Sequence, residues 1–267
     1  MRWLRLLITY PLFAVIFPIL LLHPKLRQGQ RHRFGLHPEV PSRDPNEPRI
    51  WLHGASAGDI LAVQPTAAAL RLAHPRATLI ATSVTNSGRA MLDLHKDLFD
   101  HVGFIPWDLP GSVSRAFDAL NPSIIVLEYA ELWPELLLEA KRRGTKVVLQ
   151  NGRFAGGRLN RYQDLFRLTG NMLTWLDLLL MRDPTEKDRA LQLGADAERV
   201  HVTGNTKLDH TTKLNDTGTT SKFYEALGIA ADSLVLVAGS THDGEEEALL
   251  DIFSNLLKTC PELTLII

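Results

Sequence analysis

The stretch Ile50-Trp51-Leu52-His53-Gly54-Ala55-Ser56-Ala57-Gly58-Asp59-Ile60-Leu61 runs from an apolar segment through small residues to one acid and the start of an amphipathic pattern. Small residues let the backbone turn sharply and approach a ligand closely. A helix N-terminus behind them offers unpaired N–H groups and a positive dipole end. A carboxylate at Asp59 has two uses there: it caps the helix, or it takes a proton from a substrate hydroxyl. Polar residues also gather after later apolar runs, at Ser83 to Ser87, Pro106-Trp107-Asp108-Leu109-Pro110, Glu128-Tyr129-Ala130-Glu131, Asn151-Gly152-Arg153 and Gly204-Asn205-Thr206-Lys207-Leu208-Asp209. Taken singly, each has an ordinary explanation: Glu131 as a helix-start acid, Asn151 as a turn former, Lys207 as a solvated charge.

What would position these residues is a repeating pattern of strands and helices. Short apolar runs at Ile50 to His53, Ala77 to Thr82, His101 to Ile105, Ser123 to Leu127, Lys146 to Gln150 and Leu178 to Met181 read as buried strands. Between them lie segments of helical periodicity, Ile60 to Ala73, Ser87 to His95, Ser112 to Leu120, Leu132 to Arg142 and Leu159 to Leu168. Helix Glu186 to Leu193 and strand Arg199 to Thr203 close the unit. Alternation of this kind means βαβ units and a parallel sheet covered on both faces, whose ligands gather at the carboxyl ends of the strands. The polar stretch Asp209 to Ser221 has a linker's composition, and the rhythm restarts with strand Leu234 to Ala238, helix Gly244 to Leu257 and strand Leu263 to Ile267. The expected organisation is therefore 1–24 anchor, 25–48 basic and Pro-rich spacer, 49–208 first Rossmann-like domain, 209–221 linker, and 222–267 the start of a second, incomplete one.

Composition excludes several classes. At 45% hydrophobic and 22% charged residues, 267 residues bury a real core; a formal net charge of -1 gives no basic field for nucleic acid. The single cysteine, Cys260, excludes an internal disulfide and a cysteine-built metal site. From Leu6 to Leu22 the chain is uncharged and apolar for about 17 residues, at the low edge of a membrane-spanning helix. Arg2 and Arg5 precede this run, whereas Lys25, Arg27, Arg31 and Arg33 follow it, so the positive-inside bias keeps the rest of the chain cytoplasmic with the basic segment against anionic headgroups. Pro11 and Pro18 interrupt the run and leave a monotopic insertion open; Pro38, Pro41, Pro45 and Pro48 suggest an extended spacer.

The chain carries, in order, Trp51-Leu52-His53-x-x-Ser56-x-Gly58-Asp59, Pro106 to Pro110, Glu131-Leu132-Trp133-Pro134, Asn151-x-Arg153, Gly204-Asn205-x-Lys207-x-Asp209 and Gly239-Ser240-Thr241-His242-x-Gly244-Glu245-Glu246. In their order and spacing these motifs resemble the 3-deoxy-D-manno-oct-2-ulosonic acid (Kdo) transferases of lipopolysaccharide assembly. The resemblance implies an α/β glycosyltransferase of the two-domain GT-B type, anchored to the cytoplasmic face of the bacterial inner membrane. Such an enzyme moves Kdo from CMP-Kdo to a lipid A precursor with inversion, using neither metal nor cofactor. It implies Asp59 as the base, Lys207 and Glu131 as its catalytic companions, and Ser56, Gly58, Glu128, Tyr129, Asn151 and Arg153 as residues lining the acceptor cleft. Asn205, Ser240 and Thr241 fall on the donor side.

The chain departs from the family pattern in three motifs: Asp59 replaces the usual glutamate, Tyr129-Ala130-Glu131 replaces Glu-Thr-Glu, and Glu135 replaces asparagine. Two readings from other classes remain. Gly54-Ala55-Ser56-Ala57-Gly58 matches the nucleophile elbow of α/β-hydrolases, with Ser56 as nucleophile. The altered acids also fit a membrane-tethered paralogue that binds lipid or a partner without catalysis.

Overall fold

The computed structural model describes the chain except residues 1, 38, 39, 42–45, 210–216 and 231, with only the backbone described for 2–8 and 217–221. The spacer prolines Pro38 and Pro45 and most of the expected linker thus lie outside the described residues. Two compact units are present, 1–210 and 211–267.

The first unit is built on seven strands: β1 (Arg49–His53), β2 (Thr78–Ser83), β3 (His101–Phe104), β4 (Ile124–Glu128), β5 (Lys146–Gly152), β6 (Leu178–Met181) and β7 (Val200–Val202). Their order in the sheet is β3-β2-β1-β4-β5-β6-β7, and every neighbouring pair is parallel. The register sets Trp51 beside Ile80 and Ile125, and His53 beside Thr82 and Leu127. Alternate residues feed two separate cores. Ile50, Leu52, Leu79 and Ala81 pack with Ile60, Val63 and Leu92, whereas Trp51, Ile80, Ile125 and Leu127 pack with Phe117, Leu136, Leu137 and Phe154. A parallel sheet buried on both faces explains why these strands read as near-continuous apolar runs. The covering helices are α3 (Ala57–Ala73), α4 (Asn86–Leu94), α5 (Pro110–Leu120), α6 (Pro134–Arg143), α7 (Leu159–Thr169) and α8 (Pro184–Gln192), preceded by α1 (Arg2–Leu22) and the short α2 (Gln30–Arg33).

The segment after α1 is not the extended spacer its composition suggests. Phe13 and Phe17 of α1 pack around Phe34, with ring centroids 6.4 and 5.5 Å apart, and Phe13 also meets Trp107 at 5.7 Å. Tyr10 Oη accepts a hydrogen bond from the Gly111 N–H. Arg33, expected at anionic headgroups, is instead wholly buried. Its guanidinium lies over the rings of Phe104 and Trp107 and donates to the carbonyls of Gln28 and Val84. Stacking and carbonyl contacts replace the lost hydration, and burial pushes the guanidinium down to about 10. His37 is buried beside it, with Nδ1 3.2 Å from Nε2 of His101. Burial first, then the neighbouring His32 and His101, holds the His37 imidazole down at about 3, and so uncharged. Lys25, Arg27 and Arg31 stay exposed. Leu12, Val15, Ile19 and Leu22 of α1 are also exposed, although among the described residues no helix is long and apolar enough to cross a membrane.

The second unit contains α9 (Thr217–Ala226), β8 (Val235–Val237), α10 (Glu245–Leu256) and β9 (Thr264–Ile266). Strands β8 and β9 pair in parallel around the intervening α10, one βαβ unit. Helix α9 corrects the expected linker: from Thr217 onward that polar stretch is helical. Its serines and threonines read as linker because they are weak helix formers, and the local signal does not register the apolar Phe223 and Leu227 that follow.

Candidate active site

The strand order reverses between β1 and β4, because the chain leaves β1 toward β2 on one side and later enters β4 on the other. At such a switch point the loops after the two strands diverge and leave a crevice. Asp59 follows β1 and Glu131 follows β4, so the topology alone brings these two acids to one place.

Asp59 serves as the cap that the sequence allows, and its carboxylate is also left available. Its Oδ2 accepts from both the backbone N–H and the hydroxyl of Ser56, each at 2.8 Å, closing a capping box at the start of α3. Among the described residues no donor reaches Oδ1, and the side chain is only half-buried. The box therefore fixes the carboxylate in one orientation with one oxygen unengaged. The same contact weakens the hydrolase reading, since Ser56 Oγ faces an acid and not an imidazole.

Lys207 reaches the same turn. A methyl group placed on Gly58 would lie at ordinary contact distance from both Lys207 Nζ (3.6 Å) and Ser56 Oγ (3.9 Å), which puts the amine over the first turn of α3. The residue that holds it there is Thr206, which the motif pattern leaves as an unspecified position. Thr206 donates through Oγ1 to the Ala62 carbonyl on α3, accepts from Asn151 Nδ2, and gives its own N–H to Asn151 Oδ1. Asn205 Oδ1 then accepts from the Lys207 N–H. Asn205 thus shapes the backbone under the lysine.

Behind this loop lies a sealed polar layer, and it corrects two expectations. Glu128 and Asn151, read as cleft-lining, are fully buried. They end adjacent parallel strands and turn toward each other: Asn151 Nδ2 donates to Glu128 Oε1 at 2.5 Å and Gln150 Nε2 donates to Oε2 at 3.2 Å. Their role is to support Thr206. Burial, augmented by the nearby Asp59 and opposed by the two amide hydrogen bonds, pushes the Glu128 carboxyl up to about 8. A group raised on folding lends stability that is full below its unfolded value and lost as pH rises through the folded one. Replacing Glu128 with Gln is therefore expected to stabilise the chain at pH 8.5 relative to pH 5.5, by on the order of a few kcal/mol. Chemical denaturation of both proteins at both pH values tests this; an offset equal at the two would contradict it.

At the mouth, Glu131 is partly exposed, accepts from Trp133 Nε1 at 3.0 Å, and sits 3.9 Å from Nε2 of the buried His53. Burial outweighs the Trp133 hydrogen bond, and with Asp59 nearby the carboxyl is pushed up to about 7. Tyr129 adopts φ 56 and Asn151 φ 51. A bulky tyrosine in the left-handed region is strained, whereas asparagine is tolerated there, and Tyr129 stands at the end of β4 beside this site. The Tyr129 hydroxyl is raised, chiefly by burial and by Glu128 and Asp59, against the fields of Arg182 and Arg153. Exposed Arg153 and half-buried Arg182 thus add cations to the edge; Arg182 was not anticipated, and its only sequence signal is its place just after β6. Asp108, in the Pro-Trp-Asp-Leu-Pro motif, accepts from the Glu135 and Leu136 N–H groups. That motif aims α6, and with it the Glu131 loop.

Ser240 and Thr241 belong to the second unit. Ser240 follows β8 at φ 62, and Thr241 donates to Glu246 in the first turn of α10. Among the described residues no group of three His, Cys, Asp or Glu side chains is arranged to hold a metal ion.

The chain is 32% identical to the 3-deoxy-D-manno-octulosonic acid transferase of Chlamydophila psittaci over 239 residues, which is 88% of this chain and 54% of that protein. The enzyme of the same name from Haemophilus influenzae is 27% identical over 267 residues, 98% of this chain and 61% of its own length. The chain thus spans somewhat over half the length of these curated relatives. Among solved structures, a UDP-GlcNAc 2-epimerase from Neisseria meningitidis bound to UDP-GlcNAc superposes with TM-score 0.61 at 17% identity, over 81% of this chain and 64% of that one, a likeness of fold. The sequence profile described as 3-deoxy-D-manno-octulosonic-acid transferase (kdotransferase) matches residues 28–210, the part that contains Asp59, Glu131, Thr206 and Lys207, and the chain belongs to that family.

Proposed function

We propose that the full-length protein is an inverting glycosyltransferase of the GT-B type that moves Kdo from CMP-Kdo to a lipid A precursor. The observation that carries this reading is the Asp59 carboxylate, fixed by Ser56 through one oxygen, unengaged at the other, and neighboured by the Lys207 amine. Asp59 takes the proton of the acceptor hydroxyl as its oxygen bonds to the anomeric carbon of Kdo. The bond from that carbon to the phosphate oxygen breaks on the opposite face, and its electron pair leaves with CMP. Lys207 meets the charge that develops on the leaving phosphate. Arg153 and Arg182 supply further positive field for an anionic sugar or lipid. Asn205, which accepts from the Lys207 N–H, is assigned to the donor side. No cofactor is required by this chemistry.

The exposed apolar side of α1, followed by exposed Lys25, Arg27 and Arg31, supports attachment to the cytoplasmic face of a bacterial inner membrane. Docking of Phe13 and Phe17 on the globular unit favours a helix that lies at the membrane surface. The test is incubation of the full-length protein with CMP-Kdo and a lipid A precursor in detergent. Release of CMP matched by an equal amount of Kdo-lipid is expected; CMP release without glycolipid, or neither product, contradicts the reading. Stoichiometric labelling of Ser56 by a fluorophosphonate would favour the hydrolase instead.

A further inference from the structure

His53 ends β1 directly before the Gly54–Asp59 turn, and its ring is entirely enclosed. Nδ1 lies 3.0 Å from the Thr82 carbonyl oxygen and 3.0 Å from Thr82 Oγ1. A carbonyl only accepts, so Nδ1 carries the hydrogen and Nε2 carries a lone pair. Among the described residues that buried lone pair has no hydrogen-bond partner; Oε2 of Glu131 stands 3.9 Å away, just outside hydrogen-bond length. Were Glu131 ionised, two acceptors would face each other across 3.9 Å with no proton between them. Were His53 the cation, the charge would sit in a position with no access to water. Both groups are satisfied when the proton resides on the Glu131 carboxyl and points at Nε2, a small rotation of the partly exposed Glu131 side chain closing the gap to hydrogen-bond length.

We propose that His53 is a positioning residue for Glu131, its neutral Nε2 accepting the carboxyl hydrogen so that Glu131 meets an anionic sugar as an uncharged group. Oε2 is then occupied by His53 and Trp133, which leaves Oε1 to accept from a sugar hydroxyl without repelling the sugar's own carboxylate. The directions of the two titrations agree: burial holds the His53 imidazole down near 3 and lifts the Glu131 carboxyl to about 7. The groups facing this pair are Thr82 from β2, Trp133 from the loop before α6, the Asp59 carboxylate from α3, which disfavours a second negative charge, and the Tyr162 phenol from α7. The arrangement matches a general pattern in which a carboxylic acid is kept neutral in an apolar setting so that two neighbouring acids divide their roles.

The proton assignment stands on geometry alone; its use toward an anionic sugar rests on the glycosyltransferase reading. The test is nitrogen-15 NMR of histidine-labelled protein. His53 is expected to stay in the Nδ1–H neutral form from pH 5 to pH 9, with its Nε2 resonance following the ionisation of Glu131 near neutrality. In Glu131→Gln, whose partly exposed site tolerates the change, that pH response is expected to vanish. An imidazolium signal from His53 at pH 7, or an Nε2 resonance indifferent both to pH and to Glu131→Gln, overturns the proposal. In the full-length protein, His53→Phe is expected to shift the pH at which transfer declines downward by about one unit and to raise KM for the donor more than it lowers kcat, with partial rescue by His53→Asn. An unchanged profile in His53→Phe also overturns it. Absence of transfer in the wild type would count against the glycosyltransferase reading, while the NMR result would still decide the proton assignment.

Discussion

Replacing Lys207 with Met in the full-length protein is expected to lower kcat/KM for Kdo transfer by roughly 100- to 1,000-fold, the usual cost of removing one positive group from developing charge. Stability should barely change. Lys207 is exposed, and among the described residues its ammonium enters no ion pair, so the fold gains little from it. Its position comes from the backbone beneath it, held by Thr206 and Asn205. Lys207→Arg is expected to recover only part of the loss, since a planar guanidinium spreads its charge over a broad fork where the ammonium is a compact point charge. Steady-state kinetics alongside a thermal melt separate these effects. Loss of activity in proportion to loss of stability would assign Lys207 a structural role instead.

The sheet was legible because both of its faces are buried. Strands such as Leu178–Met181 stand out as apolar runs whatever their neighbours, and small-residue and Pro turns mark their ends. The site was legible to the extent that a parallel sheet delivers strand-end residues to one edge. Three features were not. Arg33 reads as one charge of a basic segment against anionic headgroups, and what buries it, Phe104 and Trp107, lies some 70 residues downstream. Glu128 reads as one more acid of the loop after β4. Only the pairing of β4 with β5 turns it against Asn151 and away from water. Thr206 falls on a position that the motif leaves open, yet it ties the Lys207 loop to α3. In each case the deciding contact joins residues distant in sequence, which local pattern does not encode. The capping box at Asp59 is the reverse case. Ser56 and Asp59 stand three residues apart at a helix start, a spacing that announces the interaction directly.

That box also decides how the central residue should be tested. Asp59→Ala removes the base and the cap together, and losing a cap costs about 1 kcal/mol, so a weakened α3 would complicate the result. Asp59→Asn keeps an oxygen to accept from the Ser56 N–H and hydroxyl but cannot take a proton. Asp59→Glu restores the residue usual in the family and keeps a base, extended by one methylene. The most direct measurement is therefore the rate of Kdo transfer from CMP-Kdo to a lipid A precursor by full-length Asp59→Asn, set beside wild type and Asp59→Glu at equal folded fraction. The expected result is a loss of about 1,000-fold in the asparagine protein, with measurable transfer in the glutamate one. Undiminished turnover in Asp59→Asn would remove Asp59 as the base.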